Sequence, residues 1–194
     1  MKSLTRSLLL ALVLTTGARV LVQALPISTG SWEPLNTGAR EPVQAQTFEQ
    51  SLAAHERKDY RTAFAGFKRL AEQGHARAQF SLGVIYADGQ GVPKDEQQEM
   101  AWYRKAAEQG DAVAQFNLGL MYADGQGVPK DQQQAVVWYR KAAEQGDANA
   151  QNSLGVMYAN GQGVPKDRQQ AVAWFRKAAE QGNANAQNNL GKFR

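Results

Sequence analysis

An all-α fold, a right-handed α-α superhelix of stacked helical hairpins, is predicted for this 194-residue chain by three observations. First, the blocks 78–113, 114–149 and 150–185 align without a gap, and 24 of their 36 positions are identical in all three. Self-similarity at a fixed period in this range marks an array of supersecondary units. Second, each block carries apolar residues at helical spacing. Third, Gly, Pro and capping residues fall at the same places in every block and divide it into two helices.

The stretch 111–146 serves as the example. Asp111 can N-cap a first helix, whose inward positions are Ala114, Leu118, Met121 and Tyr122. Gly125 follows, where a left-handed residue ends a helix without a Cβ penalty. Gly127 and Pro129 prevent continuation. Asp131 and Gln134 form a D-x-x-Q capping box for a second helix. The stripe of that helix is Ala135, Val136, Trp138, Tyr139, Ala142 and Ala143. Arg140 and Lys141 lie near its C-terminal end, where cations suit the helix dipole, and Gly146 closes it.

Gly119 sits inside the first helix, where glycine costs about 1 kcal/mol relative to alanine. It recurs as Gly83 and Gly155. The expectation is close approach of the partner helix, with Trp138 and Tyr139 filling the space around the missing Cβ.

These residues resemble the Sel-one-like repeat (SLR) family, the longer-looped relative of the tetratricopeptide repeat. The resemblance lies in Leu118-Gly119-x-x-Tyr122-x-x-Gly125-x-Gly127-Val128, then Asp131, Ala135, Trp138, Lys141-Ala142-Ala143 and Gly146. It recurs at 78–113 and 150–185, and with partial units it covers about three quarters of the chain.

The edges depart from the pattern. Residues 48–74 align as a first unit through Asp59, Ala63, Ala71 and Gly74, but with a short connecting loop and Gly66 in place of the Trp. Residues 183–194 supply only a first helix, and Lys192 and Arg194 replace apolar positions, as expected of a solvent-facing cap. The expected domain is thus 47–194, with hairpins at 47–74, 75–110, 111–146 and 147–182 and a capping helix at 183–194.

Ahead of it, Lys2, Arg6 and the apolar run Leu8–Leu14 read as a signal peptide over residues 1–24, ending in Val22-Gln23-Ala24. Val43-Gln44-Ala45 is a second candidate cleavage site. The uncharged stretch around that apolar run, Ser7–Ala18, falls well short of the roughly 20 residues needed to span a bilayer. The implied destination is the periplasm of a bacterial-type envelope, or secretion. Residues 25–46, with Pro26, Pro34 and Pro42, read as a flexible linker; Trp32 is its one aromatic. Removal of 1–24 leaves 19 basic residues against 18 acidic ones, so the formal charge of +4 gives no footprint for nucleic acid.

No catalytic or cofactor constellation is read. The chain has no cysteine, which excludes thiolate metal sites, disulfides and cysteine nucleophiles. The loops G-Q-G-V-P-K-D at 89–95, 125–131 and 161–167 lack the Gly-Lys-Ser/Thr of a phosphate loop. Asp88 and Asp95 lack the alternating oxygen ligands of a calcium loop. His55 and His75 have no further ligand at metal spacing and read as exposed. Ser81 and Ser153 have no histidine base in their hairpins. Trp102, Trp138 and Trp174 recur every 36 residues, as an aromatic ladder would, but each falls in an apolar stripe and reads as core.

Stacked hairpins curve, and the resemblance to tetratricopeptide grooves implies ligand contacts from first-helix positions facing away from the partner helix. Those positions are Arg77, Phe80 and Val84, then Val113, Phe116 and Leu120, then Asn149, Asn152 and Val156, continued by Asn185 and Asn188. Several vary between otherwise identical copies, from Phe and Val at one end to Asn at the other. The reading is a non-enzymatic protein–protein interaction scaffold, monomeric, holding a peptide or protein segment. The alternative is an enzyme or binder for β-lactams or peptidoglycan in the cell envelope, as the resemblance to exported, cysteine-rich relatives implies.

Overall fold

The structure, a computed structural model, describes residues 47–193. The leader and linker expected over 1–46, both cleavage sites, Trp32 and Arg194 lie outside the described residues. Nine helices follow one another and, among the described residues, there is no strand: α1 (Phe48–Glu56), α2 (Tyr60–Glu72), α3 (Ala76–Asp88), α4 (Glu96–Glu108), α5 (Ala112–Asp124), α6 (Gln132–Glu144), α7 (Ala148–Asn160), α8 (Arg168–Glu180) and α9 (Ala184–Gly191). Helices pair within the hairpins α1/α2, α3/α4, α5/α6 and α7/α8, and each hairpin packs its second helix on the first helix of the next. The α7/α8 hairpin passes the array on to α9. The predicted all-α solenoid is therefore observed.

Capping residues set the helix ends. Asp111 and Asp147 accept from the amides of Ala114 and Ala150 at 2.8 and 2.7 Å, and Asn183 accepts from Ala186 at 3.0 Å. Gly89, Gly125 and Gly161 take the left-handed conformation at the ends of α3, α5 and α7. The reciprocal capping box forms at Thr47 and Gln50. At Asp131 the geometry differs from the D-x-x-Q expectation: one carboxylate oxygen accepts from both Gln133 and Gln134, at 2.9 and 3.0 Å. Its strongly extended backbone aims that oxygen at both amides together.

Burial pushes the carboxyl pKa of Asp147 up, against the opposing pull of the Ala150 and Asn149 amides. A carboxyl whose pKa is higher folded than unfolded binds protons more readily in the native state, so its ionisation costs stability as pH rises through the window just above the usual carboxylate range. Asp147→Asn keeps the acceptor, as Asn183 does naturally, and removes that ionisation. Its stability at pH 7 should stay within about 0.5 kcal/mol of the parent, whereas Asp147→Ala should lose about 1 kcal/mol with the cap. Thermal melts of both at pH 7 check this; equal losses would refute it.

Three devices join the helices. The first is the intrahelical glycine: a Cβ on Gly83, Gly119 or Gly155 would lie 2.6 Å from the ring of Tyr103, Tyr139 or Phe175. Close approach is as predicted, but the ring at the contact belongs to the residue after the Trp, since only that position points straight at the first helix. The second is a buried glutamine series that the sequence reading passed over. Gln79, Gln115 and Gln151 donate to the carbonyls of Ala71, Ala107 and Ala143 at 3.0–3.1 Å, in the last turn of the preceding hairpin. Each also accepts from a C-terminal glutamine of its own hairpin, Gln109, Gln145 or Gln181, at 2.6–2.8 Å. Carbonyls at a helix end, which already accept the amides of Gly74, Gly110 and Gly146, thereby gain a second donor across a unit boundary.

The third device is loop stacking. A Cβ on Gly127 would lie 2.6 Å from the carbonyl oxygen of Glu96, and one on Gly163 would lie closer still to that of Gln132. The Gly127 amide donates to the Glu96 carboxylate at 3.1 Å. The second glycine of each G-Q-G thus lets a loop lie on the first turn of the preceding second helix. Its left-handed φ, 68° at Gly127, suits glycine as well.

Candidate partner-binding face

Successive first helices, α3, α5, α7 and α9, carry the predicted row. Its members meet residues of the next first helix that lie outside the row. Asn183 on the amino end of α9 donates to the Asn149 side-chain oxygen at 3.0 Å, and Asn189 donates to that of Asn152 at 3.1 Å. Nearer the start, the charge of Arg77 acts on Asp111, holding its carboxyl below where burial alone would put it. Asn149 and Asn152 of the row are therefore tied to the next first helix through Asn183 and Asn189, which the row does not include.

Accessibility divides the row. Arg77, Asn149, Asn185 and Asn188 are exposed, and Phe80, Val113, Phe116, Leu120, Asn152 and Val156 are half-buried. Val84 is a correction: at 3% exposure it is core, not a groove contact. The physical reason is its register. Leu120 in the same frame packs on a cluster containing Ala135, Tyr139 and Leu154, and Val156 packs on one containing Phe175 and Ala186. This position faces its own second helix and the following first helix, not the open side.

The phenylalanines have a double role. Phe80 stacks on Tyr103 at 5.5 Å between ring centroids, and Phe116 is tilted on Tyr139 at 5.8 Å. They support the ring that fills the glycine notch and show one edge to solvent. The change from Phe to Asn at 152 follows a change of that ring from Tyr to Phe at 175, so part of the apolar-to-amide gradient reflects internal packing. The oxygens of Asn149 and Asn152 are likewise already engaged by Asn183 and Asn189.

The second helices form a different surface. Trp102 and Trp138 are buried at 9% and 8% exposure, and Trp174 is half-buried. Lys105, Lys141 and Lys177, one turn on, lie 3.9, 4.1 and 4.3 Å from the three ring centroids. An ammonium over an indole face is a favourable arrangement, and here it roofs rings that a ligand would need bare. Arg104 and Arg140 cross to the next hairpin and donate to the hydroxyls of Tyr122 and Tyr158, each at 2.6 Å. The spacing in sequence between such partners, 18 residues, was invisible to a reading based on single helix faces.

Among the described residues no group of three or more His, Asp or Glu is placed to hold a metal ion. His75 caps α3, its Nδ1 accepting from Ala78 at 3.3 Å, and stacks on Phe48. His55 is not exposed as expected: it is half-buried, bonded to Gln90 at 2.5 Å and edge-on to Tyr60. The first long loop folds back onto α1 through Gln90, which a reading of isolated hairpins could not show. No described helix is long and apolar enough to cross a membrane.

Comparison with known proteins fits this geometry. The Sel1 repeat pattern matches residues 76–111, 112–147 and 148–183. Among solved structures, a protective antigen of uropathogenic Escherichia coli displaying an SLR fold is 41% identical, with a TM-score of 0.73. The match covers 77% of this chain and 34% of that one. A Sel1 repeat protein from Oxalobacter formigenes is 39% identical, with a TM-score of 0.72, over 76% of this chain and 60% of that one. The cysteine-rich protein B of Helicobacter pylori is 27% identical at a TM-score of 0.55, over 68% of this chain and 95% of that one. No curated protein is similar enough to the chain to count as a match. The chain spans about a third and three fifths of the lengths of the first two structures. With three adjoining matches in the register of its own hairpins, this chain belongs to the Sel1 repeat family, whose helical solenoids generally serve as scaffolds for protein interaction.

Proposed function

We propose that the open side of the first helices binds an extended segment of a partner protein, and that the chain acts there as an adaptor without catalysis. One observation carries the reading: the accessible members of the row, Arg77, Val113, Asn149 and Asn185, occupy one frame position of units whose 36-residue pattern is otherwise two-thirds identical. Most turn residues are constant between the copies, and this accessible frame position is one of the twelve that differ. Val113 and the edges of Phe80 and Phe116 offer apolar contact. Asn149, Asn185 and Asn188 offer amides, whose donors and acceptors suit a peptide backbone. Export through the leader would place this surface in the periplasm or outside the cell.

Position-specific photo-crosslinking tests the reading. A photoreactive side chain at Val113 or Asn149 should join the chain to a protein in its own cell envelope. The same group at Val137, 45% exposed on a second helix, should not. Equal yields at all three sites, or none at Val113 and Asn149, would remove the groove assignment. Amino-terminal sequencing of the same material tests export: an intact Met1 would overturn it. The envelope-enzyme alternative predicts turnover of a chromogenic β-lactam by the purified chain; the scaffold reading predicts none.

A further inference from the structure

The three aligned copies form a graded series of charge. Residues 78–113 hold six acidic and three basic side chains, 114–149 hold four and three, and 150–185 hold two and four, so their net charges are −3, −1 and +2. Four of the twelve differing frame positions change charge, at 88, 96, 99 and 111 of the first copy. All four change in one direction, away from acid along the array. Asp88 and Asp124 give way to Asn160, and Glu96 becomes Gln132 and then Arg168.

Two of these positions share one edge of the array, where the long loops lie. Each first helix runs toward a loop and each second helix starts from it, so loops 89–95, 125–131 and 161–167 stand in a row. Contact holds that row together: Gly91 lies against Tyr60, Gly127 against Glu96 and Gly163 against Gln132, each at the first turn of the preceding second helix. Residues 88–96 carry a net charge of −2, their counterparts 124–132 carry −1, and 160–168 carry +1. Glu96, Arg168 and the loop lysines Lys94, Lys130 and Lys166 are exposed. One Glu96 oxygen accepts from the Gly127 amide at 3.1 Å, and Arg168 donates to the Phe193 carbonyl at 2.9 Å. The other Glu96 oxygen and the other guanidinium donors make no hydrogen bond among the described residues.

We propose that this loop edge is an interface between two copies of the chain, paired antiparallel about a two-fold axis at the 125–131 loop. An edge graded from acid to base is complementary to itself in that orientation: loop 89–95 of each copy meets loop 161–167 of the other, so the same contact forms twice. A parallel pairing sets like charge on like. Beyond residue 24 the chain has 19 basic and 18 acidic residues, so two copies meet without overall repulsion. The pair departs from the monomer expected from the sequence. It leaves the open side of the first helices clear, because the loops stand at the helix ends.

Sedimentation of the purified full chain over a concentration series should show a monomer–dimer equilibrium at about 0.1 M salt. It should shift to monomer at about 1 M, where screening cuts the reach of charge to about 3 Å. Glu96→Arg and Arg168→Glu each set like charges together at both ends of the pair, and each should weaken it by about tenfold or more. Mixed in equal amounts, the two variants should pair with one another, because each then meets the opposite charge at both contacts. Every residue introduced is one that another copy carries in that frame, so circular dichroism should be unchanged. Asp88→Asn with Glu96→Gln follows the same rule, flattens the gradient without reversing it, and should also weaken the pair. A chain that is monomeric at both salts, a dimer indifferent to these variants, or a mixture that stays monomeric would overturn the proposal. So would assemblies larger than two, since an antiparallel edge pair closes on itself.

Discussion

Gly119→Val lowers the stability of the array by about 3 kcal/mol, the upper range of core overpacking. Its Cβ would stand 2.6 Å from two ring carbons of Tyr139, and the ring cannot retreat. Tyr139 is 3% exposed and packed among Ala135, Ala142, Ala150 and Leu154, with Phe116 against it. The helices must therefore part, which strips contact from the whole α5/α6 pair. The gain from removing a mid-helix glycine, at most about 1 kcal/mol, does not offset this. At roughly 2–4 °C per kcal/mol for an array of this size, the melting midpoint should fall by about 10 °C. Gly191→Ala is the internal control, because its Cβ meets nothing; its midpoint should move by less than about 2 °C. A midpoint for Gly119→Val that stays level or rises would show that helix propensity, not the notch, governs these glycines.

The second large effect is expected from Gln115→Ala. Gln115 is 5% exposed, donates to the Ala107 carbonyl at 3.0 Å and accepts from Gln145 at 2.7 Å. Truncation removes both hydrogen bonds and opens a void between hairpins, although the Ala107 carbonyl keeps the Gly110 amide at 3.1 Å. Each lost bond is worth about 0.5–1.5 kcal/mol, so a total of roughly 1–3 kcal/mol is expected. The loss falls on the interface between α4 and α5. Stability of such an array is close to a sum of unit and neighbour terms, so this variant should also broaden the urea transition. Gln187→Ala, exposed and bonded to Ala179 only at 3.4 Å, should cost under about 0.5 kcal/mol. A sharp transition shifted equally in both variants would contradict the inter-unit role.

Much of the fold was legible because the information is local. Asp111, Gly125, Asp131 and Gly146 mark helix ends through interactions spanning a few residues, and a 36-residue repeat shows the same marks several times. The candidate face was legible only as a row of positions. Register placed Arg77, Val113, Asn149 and Asn185 together on one side. It could not show that Val84 turns into the packing, or that Phe80 and Phe116 brace the rings of Tyr103 and Tyr139. Those outcomes depend on contacts between helices whose crossing no single-helix pattern contains.

The sequence by itself determined the number, limits and order of the helices and the family they belong to. Caps, left-handed glycines and apolar stripes act within one helix or turn, so their physics is written in adjacent residues. Tertiary structure alone decided how the hairpins are joined. The glutamine series, the stacking of each loop on the preceding helix and the Arg–Tyr bridges link residues 8 to 31 apart in the chain.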